Sequence, residues 1–258
     1  MPYFSSIRST QEWLRNRVRR GSVTWRTLFA IKQAGAGFND LLHAASWARA
    51  EKRYESALSA LADRTPDFFF VQVGAHDGGM DDPLARWIAS RGWRGMFVEP
   101  QPEQFARLRE RYAGRQERFI FEIVAIDREA GTRDLHRVTD AHLHAPEISG
   151  LASFFPDRAL ATHASLGRMT RITVPCVPLH TLLERHAIAR VDLLQIDTEG
   201  YDAVILETVD LTKLRPALIH YEHRHLSRAE QSNCVRRLRA HGYEVHQKQF
   251  DAFALLIQ

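Results

Sequence analysis

The chain of 258 residues is 45% hydrophobic, 26% charged and 10% aromatic, a balance that supports a sizeable core and excludes a largely disordered chain. Its length suits one α/β domain of roughly 190 residues with a shorter additional segment. The net charge of +4 is concentrated in residues 1–32, where Arg8, Arg15, Arg17, Arg19, Arg20, Arg26 and Lys32 stand against Glu12; the remainder is slightly acidic, which argues against a nucleic-acid partner.

Residues 1–64 read as a basic helical extension. Trp13, Leu14, Val18, Trp25, Leu28 and Phe29, then Leu41, Leu42, Trp47, Leu58 and Leu61, recur mostly at the spacing of one helical face, and Gly35 and Gly37 interrupt the run. The longest apolar run there is close to Leu28–Ile31, far short of the ~18 residues of a spanning helix, and no signal-peptide pattern is present. The basic face of residues 1–32 suits a peripheral contact with an anionic membrane, an oligomer contact or plain solvation, the last two being the simpler readings. Cys176 and Cys234 are too few for a disulfide framework and are not spaced as a metal knuckle, so both read as small buried hydrophobes in a reducing, cytoplasmic setting.

From Asp67 onward, short apolar runs alternate with amphipathic stretches, the texture of a buried parallel sheet with crossover helices. Strands are predicted at 68–73, 95–99, 118–125, 191–197 and 217–222, and helices at 83–91, 102–112, 201–208 and 228–241. Right-handed crossovers between them give a doubly wound sheet. Residues 243–247 and 253–257 have only a short connection, so they should pair as a terminal antiparallel hairpin. Between Gly131 and Pro178 the alternation lapses. Strands are expected at 133–138 and 171–177, with a polar stretch holding His142 and His144 and a segment Leu151–Phe154 between them. Such an insertion commonly covers the carboxyl ends of the strands, which makes it the candidate substrate side.

Three stretches carry candidate chemistry. The first strand ends in Val73-Gly74-Ala75-His76-Asp77-Gly78-Gly79, a turn where missing Cβ atoms let backbone approach a ligand, without the GxGxxG spacing that seats a pyrophosphate. The second strand ends at Glu99, 25 residues after Gly74, where a carboxylate can accept both hydroxyls of a ribose. Ala125 and Ile126 would wall an adenine. Then Leu193-Leu194-Gln195-Ile196-Asp197-Thr198-Glu199-Gly200-Tyr201-Asp202 delivers acids into the loop after an apolar strand. The next strand ends in Ile219-His220-Tyr221-Glu222-His223-Arg224-His225, where His220 and His225 read as structural.

In combination these stretches resemble the FkbM family of methyltransferases: the VGAHDG turn, Asp82-Pro83, GMFVEPQPEQF at 95–105, ITVPCVPLHTLLERH at 172–186, LLQIDTEGYD at 193–202 and RPALIHYEHRHLS at 215–227. The resemblance covers about the last three quarters of the chain and not residues 1–60. It implies a Rossmann-like class I methyltransferase domain over 65–258 that transfers a methyl group from S-adenosylmethionine, usually to a hydroxyl of a sugar, glycan or secondary metabolite. Two positions depart from the family pattern: His76 stands where Asn is usual, and His180 where many members have Asp.

On this reading Gly74, Ala75, Asp77, Gly78, Glu99, Ala125, Asp197 and Glu199 hold the cofactor, and Asp197, Glu222 and His223 are the catalytic candidates. An alcohol is a poor nucleophile until its proton is removed, which calls for a base or a metal. Asp197 and Glu222 could share a divalent ion, but the sequence offers no evident third oxygen ligand, so a metal-free route is favoured. The rivals are a nicotinamide-dependent oxidoreductase, disfavoured by the missing GxGxxG and the terminal hairpin, and a non-catalytic methyltransferase-like binding protein in a glycan-assembly complex, disfavoured by retention of both acidic loops.

Overall fold

The computed structural model describes residues 38–79, 82–139, 151–159 and 168–257. The helical pattern expected before residue 38, its basic face and breaks at Gly35 and Gly37, and the stretch with His142 and His144 lie outside the described residues. The chain divides into two compact units with a boundary between Ser59 and Ala60, and Gln247–Gln249 group with the first.

In the first unit, most of helix α1 (Phe38–Arg64) is described. Tyr54 and Leu58 are buried. Lys248 pairs with Glu51 at 3.1 Å and lies 4.7 Å from the centre of the Tyr54 ring.

The second unit begins with β1 (Phe69–Val73), α2 (Ala85–Arg91), β2 (Arg94–Val98), α3 (Pro102–Arg111) and β3 (Phe119–Glu122). It continues through β4 (Ala125–Ile126), β5 (Gly131–Thr139), β6 (Ala152–Ser153), the short α4 (Pro156–Ala159), β7 (Arg168–Val177) and α5 (Leu179–Arg185). It ends with β8 (Leu193–Ile196), α6 (Asp202–Thr208), β9 (Leu218–Glu222), α7 (Arg228–Ala240), β10 (Tyr243–Gln247) and β11 (Asp251–Leu256).

Seven strands form one sheet in the order β10-β11-β9-β8-β1-β2-β3. The pairs β1–β2, β1–β8, β2–β3 and β8–β9 are parallel, and β11 runs antiparallel to β9. The central strands form where the sequence is apolar on both faces: in register, Val71 lies beside Met96 and Leu194, and Leu194 beside Ile219, all fully buried. Continuous apolar runs of this kind are what a covered parallel sheet requires. β10 and β11 are neighbours joined by three residues, too few for a parallel crossover, so the terminal pair is a hairpin. Numbered along this sheet the order is 3-2-1-4-5-7-6. It shares its first five places with the dinucleotide-binding order and differs by the reversed strand inserted before the edge.

The strand predicted at 118–125 is two strands. β3 lies at the edge of the large sheet, so the chain leaves it after Glu122 through the exposed Ile123. Ala125 and Ile126 then pair in parallel with Cys176 and Val177 of a second sheet, ordered β4-β7-β5-β6. There β5 and β7 pair antiparallel from Gly131–Cys176 to Thr139–Arg168. Ala125, Leu135, Val174 and Cys176 form its core, with Ala152, Phe154 and Ile172 against it. Cys176 and Cys234 are both free and buried.

Candidate active site

The large sheet presents its loops at the carboxyl ends of β1, β2 and β8. Gly74 follows β1 with φ +80°, and a Cβ there would lie 1.8 Å from the Asp197 carbonyl oxygen, so only glycine fits against the loop after β8. The turn is laced to both neighbouring strands: the Gly74 and Ala75 N–H groups donate to the Val98 carbonyl at 2.9 and 3.1 Å, and the Asp197 N–H donates to Val73 at 2.9 Å. His76 takes φ +49°, a left-handed conformation in which Asn, Asp and His are enriched over other side chains. That accounts physically for histidine at a position where Asn is usual in the resembling family. Its N–H donates to Glu99 Oε2 at 2.8 Å, and the Gln101 N–H donates to Oε1 at 2.9 Å. Burial pushes the Glu99 carboxyl above its ordinary value, and these donors offset part of the push.

Asp77 Oδ1 accepts from the Gly79 N–H at 2.9 Å, and Arg111 donates to the Asp77 carbonyl at 2.9 Å with its guanidinium 3.7 Å from the carboxylate. Gly78 has a different job. It has φ +62°, and a Cβ there would meet the Leu108 side chain at 2.8 Å, so its smallness lets the turn pack on α3. Asp82, whose pairing with Pro83 was visible in the sequence without a role, is a residue that reasoning missed. Its Oδ1 accepts from the Leu84 N–H and from Gln72 at 2.8 and 3.1 Å, while Oδ2 is buried with no hydrogen-bond partner among the described residues. Burial pushes this carboxyl up to about 6.

These loops border a cleft of about 440 Å³. Of the predicted cofactor residues, Gly74, Ala75, Asp77, Glu99, Ala125, Asp197 and Glu199 line it, and Gly78 does not. The opposite wall comes from the second sheet and its flanks: Val124, Ile126, Leu135, Leu151, Ala152 and Phe154, with Tyr201 at the start of α6. Behind that wall, the Arg133 guanidinium sits 4.2 Å from the centre of the Phe154 ring and 5.0 Å from that of Tyr201. Arg133 donates to Asp127 at 2.8 Å and to the Tyr201 hydroxyl at 2.6 Å, and that hydroxyl donates to Asp127 at 2.6 Å. Burial alone would raise the Asp127 carboxyl, but the hydrogen bonds from Tyr201 and Arg133 outweigh it and hold it below its ordinary value. No local sequence pattern joins these three residues.

The acidic loops meet where β8 and β9 run side by side. Asp202 is fully buried and ties them together: it accepts from the Thr198 hydroxyl at 2.9 Å and from the Glu222 N–H at 3.1 Å. Burial pushes it up to about 6. Asp197 opens onto the water of the cleft while standing among protein atoms and other acids. The lost hydration and the nearby Glu199, Asp202, Asp251 and Asp82 all push its proton affinity upward, and cleft water screens part of that push. Glu222 is shifted the same way by burial and by Asp197, Glu199, Asp202 and Asp251. Glu222 and His223 are not among the cleft-lining residues. The His223 backbone is a fastening point instead: its N–H donates to Phe250 at 2.8 Å and its carbonyl accepts from Gln231 at 3.0 Å.

The strand order with its reversed penultimate strand, and a cleft at the carboxyl edge of β1, β2 and β8, define a Rossmann-like fold of the class I methyltransferases. Residues 72–245 match the Methyltransferase FkbM domain, and the chain belongs to that family of methyltransferases. Among solved structures it is similar to the methyltransferase FkbM from Methylobacillus flagellatus KT, with 12% identity and a TM-score of 0.48, covering 74% of this chain and 44% of that one. It is also similar to a precorrin-6y C5,15-methyltransferase from Geobacter metallireducens GS-15, with 13% identity and a TM-score of 0.39, covering 79% and 87% of the two chains. The chain thus spans less than half the length of the Methylobacillus protein. No curated protein matches the sequence. No helix among the described residues is long and apolar enough to cross a membrane.

Proposed function

We propose that this methyltransferase uses S-adenosylmethionine to O-methylate a hydroxyl of a sugar, glycan or secondary metabolite, in the cytoplasm, with residues 1–64 as an accessory extension outside the catalytic domain. The observation that carries the reading is the charge of the cleft: Asp77, Asp82, Glu99, Asp197 and Glu199 line it, and Arg111 is the one arginine or lysine among the described lining residues. Such a lining attracts a ligand bearing a sulfonium and an ammonium and repels a pyrophosphate. It therefore favours S-adenosylmethionine over a nicotinamide dinucleotide.

In this assignment Glu99 accepts the ribose hydroxyls with the lone pairs its two backbone donors leave open. The Gly74–Ala75 backbone and Asp77 border the methionine portion, Asp82 offers its open oxygen to the ammonium, and Ala125 and Ile126 wall the adenine. The bound cofactor would supply an electrophilic methyl group. Asp197 would take the proton of the acceptor hydroxyl, leaving its oxygen as the nucleophile toward that methyl group. A carboxylate whose proton affinity is raised by burial and neighbouring acids is a stronger base for this step than an ordinary aspartate. Holding donor and acceptor in line supplies much of the remaining acceleration. Glu222 and His223 support Asp197 from the neighbouring strand end.

Incubation with methyl-labelled S-adenosylmethionine and fractionated glycan or metabolite extracts tests the proposal, with mass analysis of the products. Label in an acid-stable methyl ether is expected. Cofactor binding with no labelled product from any extract would favour the binding-protein reading, and a nicotinamide-dependent change in an extract would favour an oxidoreductase.

A further inference from the structure

Beside the cleft, Glu199, Glu222 and His225 converge so that one potential ligand atom from each lies within 4.8 Å of the others. The His225 Nε2 is 3.1 Å from a Glu199 oxygen and 3.9 Å from a Glu222 oxygen. We propose that these three side chains form a binding site for a divalent transition-metal cation of the Zn2+ or Mn2+ type.

A histidine–glutamate ion pair accounts for part of this geometry but not for Glu222. That side chain is 11% exposed, and its Oε2 is buried with no hydrogen-bond partner among the described residues. A buried carboxylate oxygen left open is costly unless something positive meets it. Among the described residues, no lysine or arginine is ion-paired with Asp197, Glu199 or Glu222. A divalent cation between the imidazole and the two carboxylates neutralises the Glu222 carboxylate, whose Oε1 lies 3.9 Å from His225 Nε2. Two carboxylates and one imidazole suit Zn2+ or Mn2+ better than Mg2+, which prefers oxygen ligands alone and keeps its waters. Metal–ligand bonds of about 2.0–2.2 Å place neighbouring donors roughly 3–3.5 Å apart; the 3.1 and 3.9 Å separations from His225 are close to that, and the set as a whole lies within 4.8 Å.

The site is built rather than incidental. Gly200 takes φ +99°, and a Cβ there would press on the His225 Cβ at 3.2 Å, so glycine lets the loop carrying Glu199 come up against His225. The Ser153 hydroxyl fixes that loop by donating to the Glu199 carbonyl at 2.6 Å. Gln231 fixes the other loop by donating to the His223 and Leu226 carbonyls, both at 3.0 Å. Glu199 also lines the cleft, so a cation held here borders the space for an acceptor oxygen. Glu222 and His225 come from the end of β9 and the loop after it, three residues apart, and Glu199 from the loop after β8, so the set is completed only when the two neighbouring strand ends meet.

The test uses the untagged full-length protein stripped of metal with a chelator. Zn2+ and Mn2+ are titrated separately by calorimetry, and the melting temperature is followed alongside. One site per chain and a rise of roughly a few degrees at saturation are expected for at least one of the metals. Glu222→Gln and His225→Gln should each lose tenfold or more in affinity and most of that rise. Without metal, Glu222→Gln should melt no lower than wild type, because it removes one of several mutually repelling carboxylates. The inference is overturned by absence of a saturable site for both metals, by equal affinity in the two variants, or by a metal-free Glu222→Gln protein that melts lower. The shift produced by S-adenosylmethionine is read on the same samples, so failure of the metal site and failure of the cofactor reading appear as separate results.

Discussion

The seven-stranded sheet meets the cleft with carboxylates on glycine-rich turns, whereas the four-stranded sheet meets it with apolar side chains braced from behind by Arg133. In the first, one oxygen each of Asp82 and Glu222 is buried without a hydrogen-bond partner among the described residues, and burial shifts Asp82, Asp197 and Glu222 upward. In the second, Asp127, Arg133 and Tyr201 satisfy one another within 2.8 Å, so that wall is complete without a ligand. The difference teaches where stability has been sacrificed for chemistry: repelling acids are held in place by the sheet's rigid centre, while the wall opposite them is internally neutralised.

Substitutions on the acid side should therefore change binding and turnover, and those on the other side should change stability. The largest effect is expected at the junction of β1 and β8. Gly74→Ala puts a methyl group 1.8 Å from the Asp197 carbonyl oxygen at φ +80°, which should cost at least ~3 kcal/mol and abolish cofactor binding; denaturant unfolding and calorimetry read both. Next, Asp197→Asn keeps the shape and removes the charge, so on the proposed mechanism the methylation rate should fall by roughly a hundredfold or more with folding little changed. A fully active Asp197→Asn enzyme would sink the catalytic assignment.

Glu99→Gln keeps an oxygen for one backbone donor but loses the charge, and should weaken S-adenosylmethionine about tenfold to a hundredfold. Asp82→Asn acts on stability rather than on affinity, with a distinctive pH dependence. The Asp82 carboxyl rises from 3.8 to about 6 in the folded protein, so the folded state binds this proton more tightly than the unfolded state. The stability it contributes is present below about pH 4 and is lost as pH rises to about 6, a change of up to ~3 kcal/mol. Asn does not titrate. The variant should therefore gain on wild type as pH rises through that window, and urea midpoints at pH 4.5 and 7 measure the gain. Smallest, Arg133→Ala should destabilise by about 1 kcal/mol, discounted because the side chain is 37% exposed, and should leave cofactor affinity within a fewfold.

The contrast between the sheets also explains what the sequence made legible. The strands β1, β2, β8 and β9 are covered on both faces, so each is a local apolar run that ends at an abrupt polar or glycine-rich turn. Gly74, Glu99, Asp197 and Glu199 could be picked from those ends alone, and all four border one cleft. β4 could not. Ala125–Ile126 continues the apolar run of β3 in the sequence and joins another sheet only because Cys176–Val177, some fifty residues on, offers a free edge. His225 was read as structural because nothing local reports that Gly200 lets the neighbouring loop reach it. Asp82 was visible as half of an Asp-Pro pair, but its open oxygen is a product of burial, which periodicity does not reveal.

The central claim is that the acidic cleft takes S-adenosylmethionine, and calorimetric titration of the wild-type protein tests it most directly. Saturable binding of S-adenosylmethionine and of its demethylated product is expected at one site per chain, with Glu99→Gln weakened about tenfold or more and no heat from the oxidised or reduced nicotinamide dinucleotides. Binding of a nicotinamide dinucleotide in place of S-adenosylmethionine, or unchanged affinity in a folded Glu99→Gln protein, would contradict the account.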